Sequence, residues 1–300
     1  SRTIPKLRKK GEGALIPYLP LHKLIKLVKN TLDYYISGQY RDYSVELIIN
    51  GDFLNFLQVD YHGHFLTVFT EEVSLEILKD IIEGQPEAIK ALKEFGSKKG
   101  NSITYVVGNH DQAMLWPRLR SYFNEVVGVP VRYKSIVHFF DGIHVEHGHM
   151  YEAANRINPK KFFLKKNLPV PILNLPFGSH FFVDFVMKIK EKHPHIDKIR
   201  PFRLLMRWAF FHEFWFTIKS LISLVGYFIS SAFVKDSRRQ FPFSRILKVF
   251  LESAIFPDLS DSAKKILHDE RVHTVVFGHT HVYQYRQWGK GQEYFNTGTW

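Results

Sequence analysis

Four short runs of β-branched or apolar residues in this chain each stop at a glycine-containing cluster of oxygen- and nitrogen-bearing side chains. Val45–Asn50 stops at Gly51-Asp52, Ile103–Val107 at Gly108-Asn109-His110-Asp111, Ile143–Glu146 at His147-Gly148-His149, and Val272–Phe277 at Gly278-His279-Thr280-His281. Apolar runs of this length, closed by turn residues, read as strands. Between them, Val73–Ile82 and Pro86–Phe95 carry apolar residues at helical spacing, as does Leu21–Tyr35 through Leu24, Ile25, Val28 and Leu32. The alternation predicts a strand-rich α/β (α+β) core. Ligand sites in open α/β sheets gather at the carboxyl ends of strands, which is where all four clusters fall.

Taken singly, each cluster has an ordinary explanation. An Asp after Gly is a common turn residue, and an isolated His is more often a surface or capping group than a ligand. Four clusters that each close a strand are harder to assign to turns. The chain has 0 Cys, which excludes disulfides and thiolate ligands and fits a reducing compartment. Carboxylate, amide and imidazole donors without thiols suit Mn, Fe or Zn in a reactive centre rather than a structural zinc site. A glycine beside the ligands lets the chain turn sharply, so that side chains from different strands can face one point.

Charge divides the chain into two unlike parts. The formal net charge is +12, from 41 Lys and Arg against 29 Asp and Glu. The stretch 160–250 holds 17 of those bases and 5 of those acids, itself +12, together with 19 of the 46 aromatic residues. The remainder balances at 24 against 24. The basic, aromatic stretch is punctuated by Pro169, Pro171, Pro176, Pro194, Pro201 and Pro242, and Arg203–Phe233 reads as a long helix with a break at Gly226. It falls between the third and fourth core strands, so it is an insertion rather than an appended domain. The expected organisation is a core over 1–150, a helical cap over 151–255 and the rest of the core over 256–300. Ser220–Val234 runs 15 residues without a charged side chain, short of the about 20 that a membrane span needs.

The order Gly-Asp, Gly-Asn-His-Asp, His and Gly-His-Thr-His resembles the motif series of the calcineurin-like metallophosphoesterases over about residues 44–150 and 270–300. The resemblance implies a β-sandwich of two mixed sheets flanked by helices, holding two divalent cations (Mn, Fe or Zn, with Mn favoured). On this reading Asp52 bridges both metals, Asn109, His147 and His279 bind one, and His281 binds the other. His110 resembles the family's catalytic histidine, which stabilises or protonates the leaving oxygen. Asp111 is expected close behind these residues, in support or against substrate. The motif does not place His149: binding substrate phosphate, supporting His147 and facing solvent all remain open.

Two departures from the pattern stand out. The family's opening Asp-x-His, which supplies two ligands to the second metal, is absent from Ser1–Asn50, and Asp60-Tyr61-His62 lies downstream of Asp52 in an apparent surface loop. The chain opens without Met in a basic segment (Arg2, Lys6, Arg8, Lys9, Lys10) and stops at Asn296-Thr297-Gly298-Thr299-Trp300, which reads as a strand end. The expectation is therefore a piece of a longer protein whose first strand lies upstream. If Ser1 is instead the true start, the second metal keeps only Asp52 and His281, and hydrolysis is impaired. The second departure is Asn55, where many family members carry an Asp that pairs with the catalytic histidine. A carboxylate there would keep the imidazole charged. An amide orients the ring without adding charge, which suits a good leaving group such as a phosphodiester or pyrophosphate.

The cap admits three readings: an ordinary helical core with a solvated basic face, a nucleic-acid surface, or a membrane surface. Its aromatics come in dense clusters (Phe210-Phe211, Phe214-Trp215-Phe216, Tyr227-Phe228), unlike the sparse platforms on which bases stack. Trp208, Phe211, Trp215, Ile218, Ile222 and Val225 recur at spacings of three and four with Lys and Arg near the borders, as in helices that lie in a lipid interface. The preferred expectation is a cytoplasmic hydrolase, peripheral on the inner face of the membrane, with an amphiphilic phosphoester as substrate. A family branch that cleaves the pyrophosphate of UDP-diacylglucosamine is similar in its His147-Gly148 turn and its helical cap. That branch has Arg where His110 stands and a different ending. The alternatives are a soluble phosphodiesterase or nuclease, and a non-catalytic membrane-binding module with a degenerate metal site.

Overall fold

A computed structural model describes residues 43–190, 210–233, 241–252, 258–289 and 291–298, together with positions 30 and 34. The chain is an α+β protein. Three parallel strands, β1 (Glu46–Asn50), β2 (Ser102–Val106) and β3 (Val131–Lys134), form the first sheet in that order. Five more form a second, mixed sheet: β4 (Val137–Phe140), β5 (Ile143–Glu146), β8 (Thr274–Phe277), β9 (Tyr283–Trp288) and β10 (Gln292–Thr297). Their order is β4-β5-β8-β10-β9, with the β5–β8 and β8–β10 pairs parallel. A two-stranded ribbon pairs β6 (Phe163–Leu164) with β7 (Ile172–Leu173). Among the described residues only the second sheet is mixed, whereas the family resemblance implied two mixed sheets.

The helices α1 (Glu71–Glu83), α2 (Pro86–Ser97) and α3 (Pro117–Val127) cover the first sheet. Thr70 caps α1 by accepting a hydrogen bond from the Val73 amide at 3.2 Å, and Glu71 and Glu72 sit where the helix dipole favours negative charge. Proline opens α2 and α3, where an amide would lack a partner in any case. Their apolar faces (Ile77, Leu78, Leu92, Phe95, Leu119, Phe123) bury against Ile103 and Tyr105 of β2 in one large cluster. Leu173, Leu175 and Val183 belong to that cluster too, so the first part of the expected insertion packs into the core. A second cluster joins Leu259, Ala263 and Leu267, on or flanking α8 (Ser260–Ile266), to Val275, Phe277 and Tyr294.

The two sheets meet at the carboxyl ends of β1 and β5, where Asn50 Nδ2 donates to the Glu146 carbonyl at 3.1 Å. At the opposite end of β1, Glu46 accepts from Thr104 and Arg132 and lies 3.2 Å from His138 Nε2. This carboxylate links β1, β2, β3 and β4.

The segment expected to be a helical cap opens with the β6–β7 ribbon, and its other described elements are helical: α4 (Phe177–Phe181) runs through a π-turn at Phe182–Val186 into α5 (Met187–Lys190), followed by α6 (Phe214–Phe233) and α7 (Phe243–Glu252). Here α6 continues without interruption through Gly226, contrary to the expected break. One face of α6 packs Leu224, Tyr227 and Phe228 against Phe177, Phe181, Ile246 and Val249. The other face leaves Trp215, Ile222, Val225, Ile229 and Phe233 exposed, Trp215 to 74%. Trp208 and most of Leu21–Tyr35 lie outside the described residues.

Candidate metal centre

The four expected clusters close β1, β2, β5 and β8, and the backbone explains why they can converge. Gly51 adopts φ +74, and a Cβ there would sit 2.5 Å from His147 Nδ1. A Cβ on Gly108 would overlap the Asp52 carboxylate. Both glycines are thus demanded by close approach. Asp52 (φ 54), His279 (φ 65) and His281 (φ 60) also occupy the left-handed region that non-glycine residues avoid. Strain of this kind concentrates at sites whose side-chain direction matters more than backbone comfort.

Asp52, His147 and His279 each present a ligand atom, and these atoms all lie within 4.8 Å of one another. The His147 Nδ1–H donates to the Asn50 carbonyl at 2.8 Å, which aims Nε2 at Asp52 Oδ2, 3.0 Å away. That contact is an ion pair rather than a well-aligned hydrogen bond, and the buried Nε2 has no other partner among the described residues. The buried Asn109 Oδ1 is orphaned in the same way. Asn109 lies between Gly108 and His110, and the His110 amide donates to Asp52 Oδ1 at 2.8 Å. Buried polar atoms left without a hydrogen-bond partner beside a carboxylate are costly unless a cation satisfies them. Burial alone would raise the Asp52 carboxyl, but His147 and His110 hold it well below the usual carboxylate range. Burial works against charge on His147, yet Asp52 pushes its pKa up to about 9. The oxygen and nitrogen donors therefore fit a divalent cation, with Asp52, His147, His279 and Asn109 as the residues to hold it.

The remaining expected residues separate by position. His110 is half-buried, with Nδ1 3.1 Å from Asn55 Oδ1 and its ring edge-on to Phe182 of the cap at 5.7 Å. The Asn55 carbonyl oxygen therefore contacts the ring in the manner an orienting amide would. Asp111 is fully buried and accepts from the Gly108 amide (2.6 Å), the Phe53 amide (3.0 Å) and the Tyr105 hydroxyl (2.6 Å). Burial, with Asp52 adding, raises its carboxyl to about 7. It ties the β2 turn to the β1 turn and is closed to substrate. His149 is 0% exposed, which removes the solvent-facing reading, and neither ring nitrogen has a hydrogen-bond partner among the described residues. Burial and the neighbouring His147 and His279 push its pKa well down, so the ring is neutral. His281 is exposed and lies outside the group formed by Asp52, His147 and His279. His62 is exposed, and Tyr61 bonds Glu76 at 2.8 Å, so Asp60-Tyr61-His62 is a loop apart from that group.

Sequence reasoning missed Glu152, whose Oε2 is 2.6 Å from His279 Nε2. Nothing in its spacing marks it, since it follows the His147 cluster in a segment assigned to the cap.

The chain matches no protein-family profile and no curated protein sequence. The resemblance to the metallophosphoesterases therefore rests on the sequence motifs alone.

Proposed function

We propose that the protein is a dinuclear metal-dependent phosphohydrolase of the calcineurin-like metallophosphoesterase type, built on that family's sandwich. Its proposed substrate is an amphiphilic phosphoester or pyrophosphate met at a membrane surface. The observation that carries the reading is the convergence of Asp52, His147 and His279 within 4.8 Å, beside His110. Bound divalent cations would supply charge for a phosphoryl oxygen and a lowered pKa for an attacking water.

The chain's own residues supply the rest. Asp52, Asn109, His147 and His279 would hold one cation, and Asp52 with His281 would offer ligands to a second. Asn55 steadies the His110 ring, leaving it to offer a proton or a hydrogen bond to the departing oxygen. Phe182 packs edge-on against that ring.

The membrane half of the proposal is supported by α6. Its Phe214–Ser231 stretch is long and apolar enough to cross a membrane, and only 11% of it is buried within the fold. The basic residues that flank this stretch in the sequence suit anionic lipid headgroups better than a stacked single strand.

Metal analysis and hydrolysis of an aryl phosphodiester provide the test. We expect about two cations per chain and loss of at least a hundredfold in kcat for Asp52→Ala. Retained activity in Asp52→Ala sinks the site assignment. No bound metal favours a non-catalytic module, and salt-sensitive binding to single-stranded DNA without liposome binding favours a nuclease.

A further inference from the structure

Glu152 lies just beyond the turn made by His147, Gly148 and His149. Its backbone carbonyl accepts from the amides of Asn155 (3.2 Å) and Arg156 (2.9 Å), which fixes the segment as a tight turn. Its side chain accepts from Asn155 Nδ2 and from His279 Nε2, the latter at 2.6 Å. A carboxylate can only accept at that distance, so Nε2 carries the proton. In a neutral imidazole the other nitrogen, Nδ1, then keeps the lone pair. Glu152 falls outside the group of mutually close ligand atoms, so it touches that group through the His279 ring.

We propose that Glu152 is a positioning residue that holds His279 in the tautomer that offers Nδ1 to a divalent cation. The role rests on the metal-centre reading above. An acceptor at Nε2 does two things for a metal-binding imidazole: it stops the ring from rotating, and it raises the basicity of the other nitrogen. Asn155 serves Glu152 in turn, since its amide restrains the same carboxylate oxygen.

The test uses the full chain, Zn2+ as the probe and two variants. In metal-free, 15N-histidine-labelled wild type at pH 8, NMR should show the Nε2–H tautomer at His279. Glu152→Ala should weaken Zn2+ affinity by about 10–100-fold in competition with a chelating dye. Glu152→Gln keeps an accepting oxygen in the same volume and should recover most of that loss. An Nδ1–H tautomer in wild type overturns the proposal, as does a Glu152→Ala affinity within about twofold of wild type. Equal losses in both variants would make Glu152 a direct ligand and also overturn it. If wild type binds no Zn2+, the metal-centre reading falls along with this role; wild-type binding with unaffected variants sinks the role alone.

Discussion

The residues of the site are held by charge as much as by geometry. Asp52 and His147 stabilise one another in the metal-free fold, and the sign of each shift sets a pH window. His147 is raised from 6.5 to about 9, so its contribution is complete below pH 6.5 and disappears as pH climbs through 9. Asp52 is depressed, so its contribution is present above its ordinary value of 3.8 and disappears only as pH falls well below that. A cation needs the Nε2 lone pair and must displace the His147 proton. Cation binding at pH 7 should therefore release about one proton, and affinity should rise with pH until about 9. Calorimetry in two buffers of different ionisation enthalpy measures the released proton directly, and no release would place His147 outside the ligand set. The residue identities of the cluster were legible because glycine and donor side chains recur at strand ends. Glu152 and the buried state of His149 were not, because both depend on contacts between segments far apart in the sequence.

At the level of elements, the strands that lead to the site were readable to within one or two residues: β1, β2 and β8 shift slightly, and β5 matches. Each is an apolar run with a sharp end. β3 and β4 have only four residues apiece, and Arg132, Lys134 and His138 break up their apolar pattern, so local sequence cannot separate them from loop. The helix α6 departs from expectation for the opposite reason. Glycine weakens a helix by about 1 kcal/mol relative to alanine but does not break one that packing holds. Leu224, Tyr227 and Phe228 surround Gly226 and pin that turn to the Phe177 cluster. A Cβ at position 226 would meet nothing within 4 Å. Gly226→Ala should therefore stabilise the protein by up to about 1 kcal/mol, seen as a rise in melting temperature of a few degrees or less. A lower melting temperature would show that α6 is not continuous there.

Across the whole molecule, composition separates a charge-balanced part of the sequence from a basic, aromatic stretch. What composition could not reveal is that the insertion begins inside the core. Leu173 and Leu175 pack with the first sheet, and Phe182 reaches the His110 ring. Cap and candidate site are thus in physical contact. The outer face of α6, with Trp215, Ile222 and Ile229 exposed, is the natural lipid-facing side of the proposal. The triple change Trp215→Glu, Ile222→Glu and Ile229→Glu should reduce co-sedimentation with anionic liposomes at least tenfold and leave turnover of a small soluble phosphodiester within about twofold. Undiminished liposome binding would move the membrane contact elsewhere.

Asp52, His279 and His281 place bulky side chains on backbone turns that suit glycine. Each such turn costs of order 1–3 kcal/mol, against a total folding free energy of about 5–15 kcal/mol for an ordinary domain. The rest of the fold therefore acts as a clamp on three cocked joints. Selection for heat resistance alone would push all three positions towards glycine, and the hardier protein would lose the side chains that the proposed cation site requires.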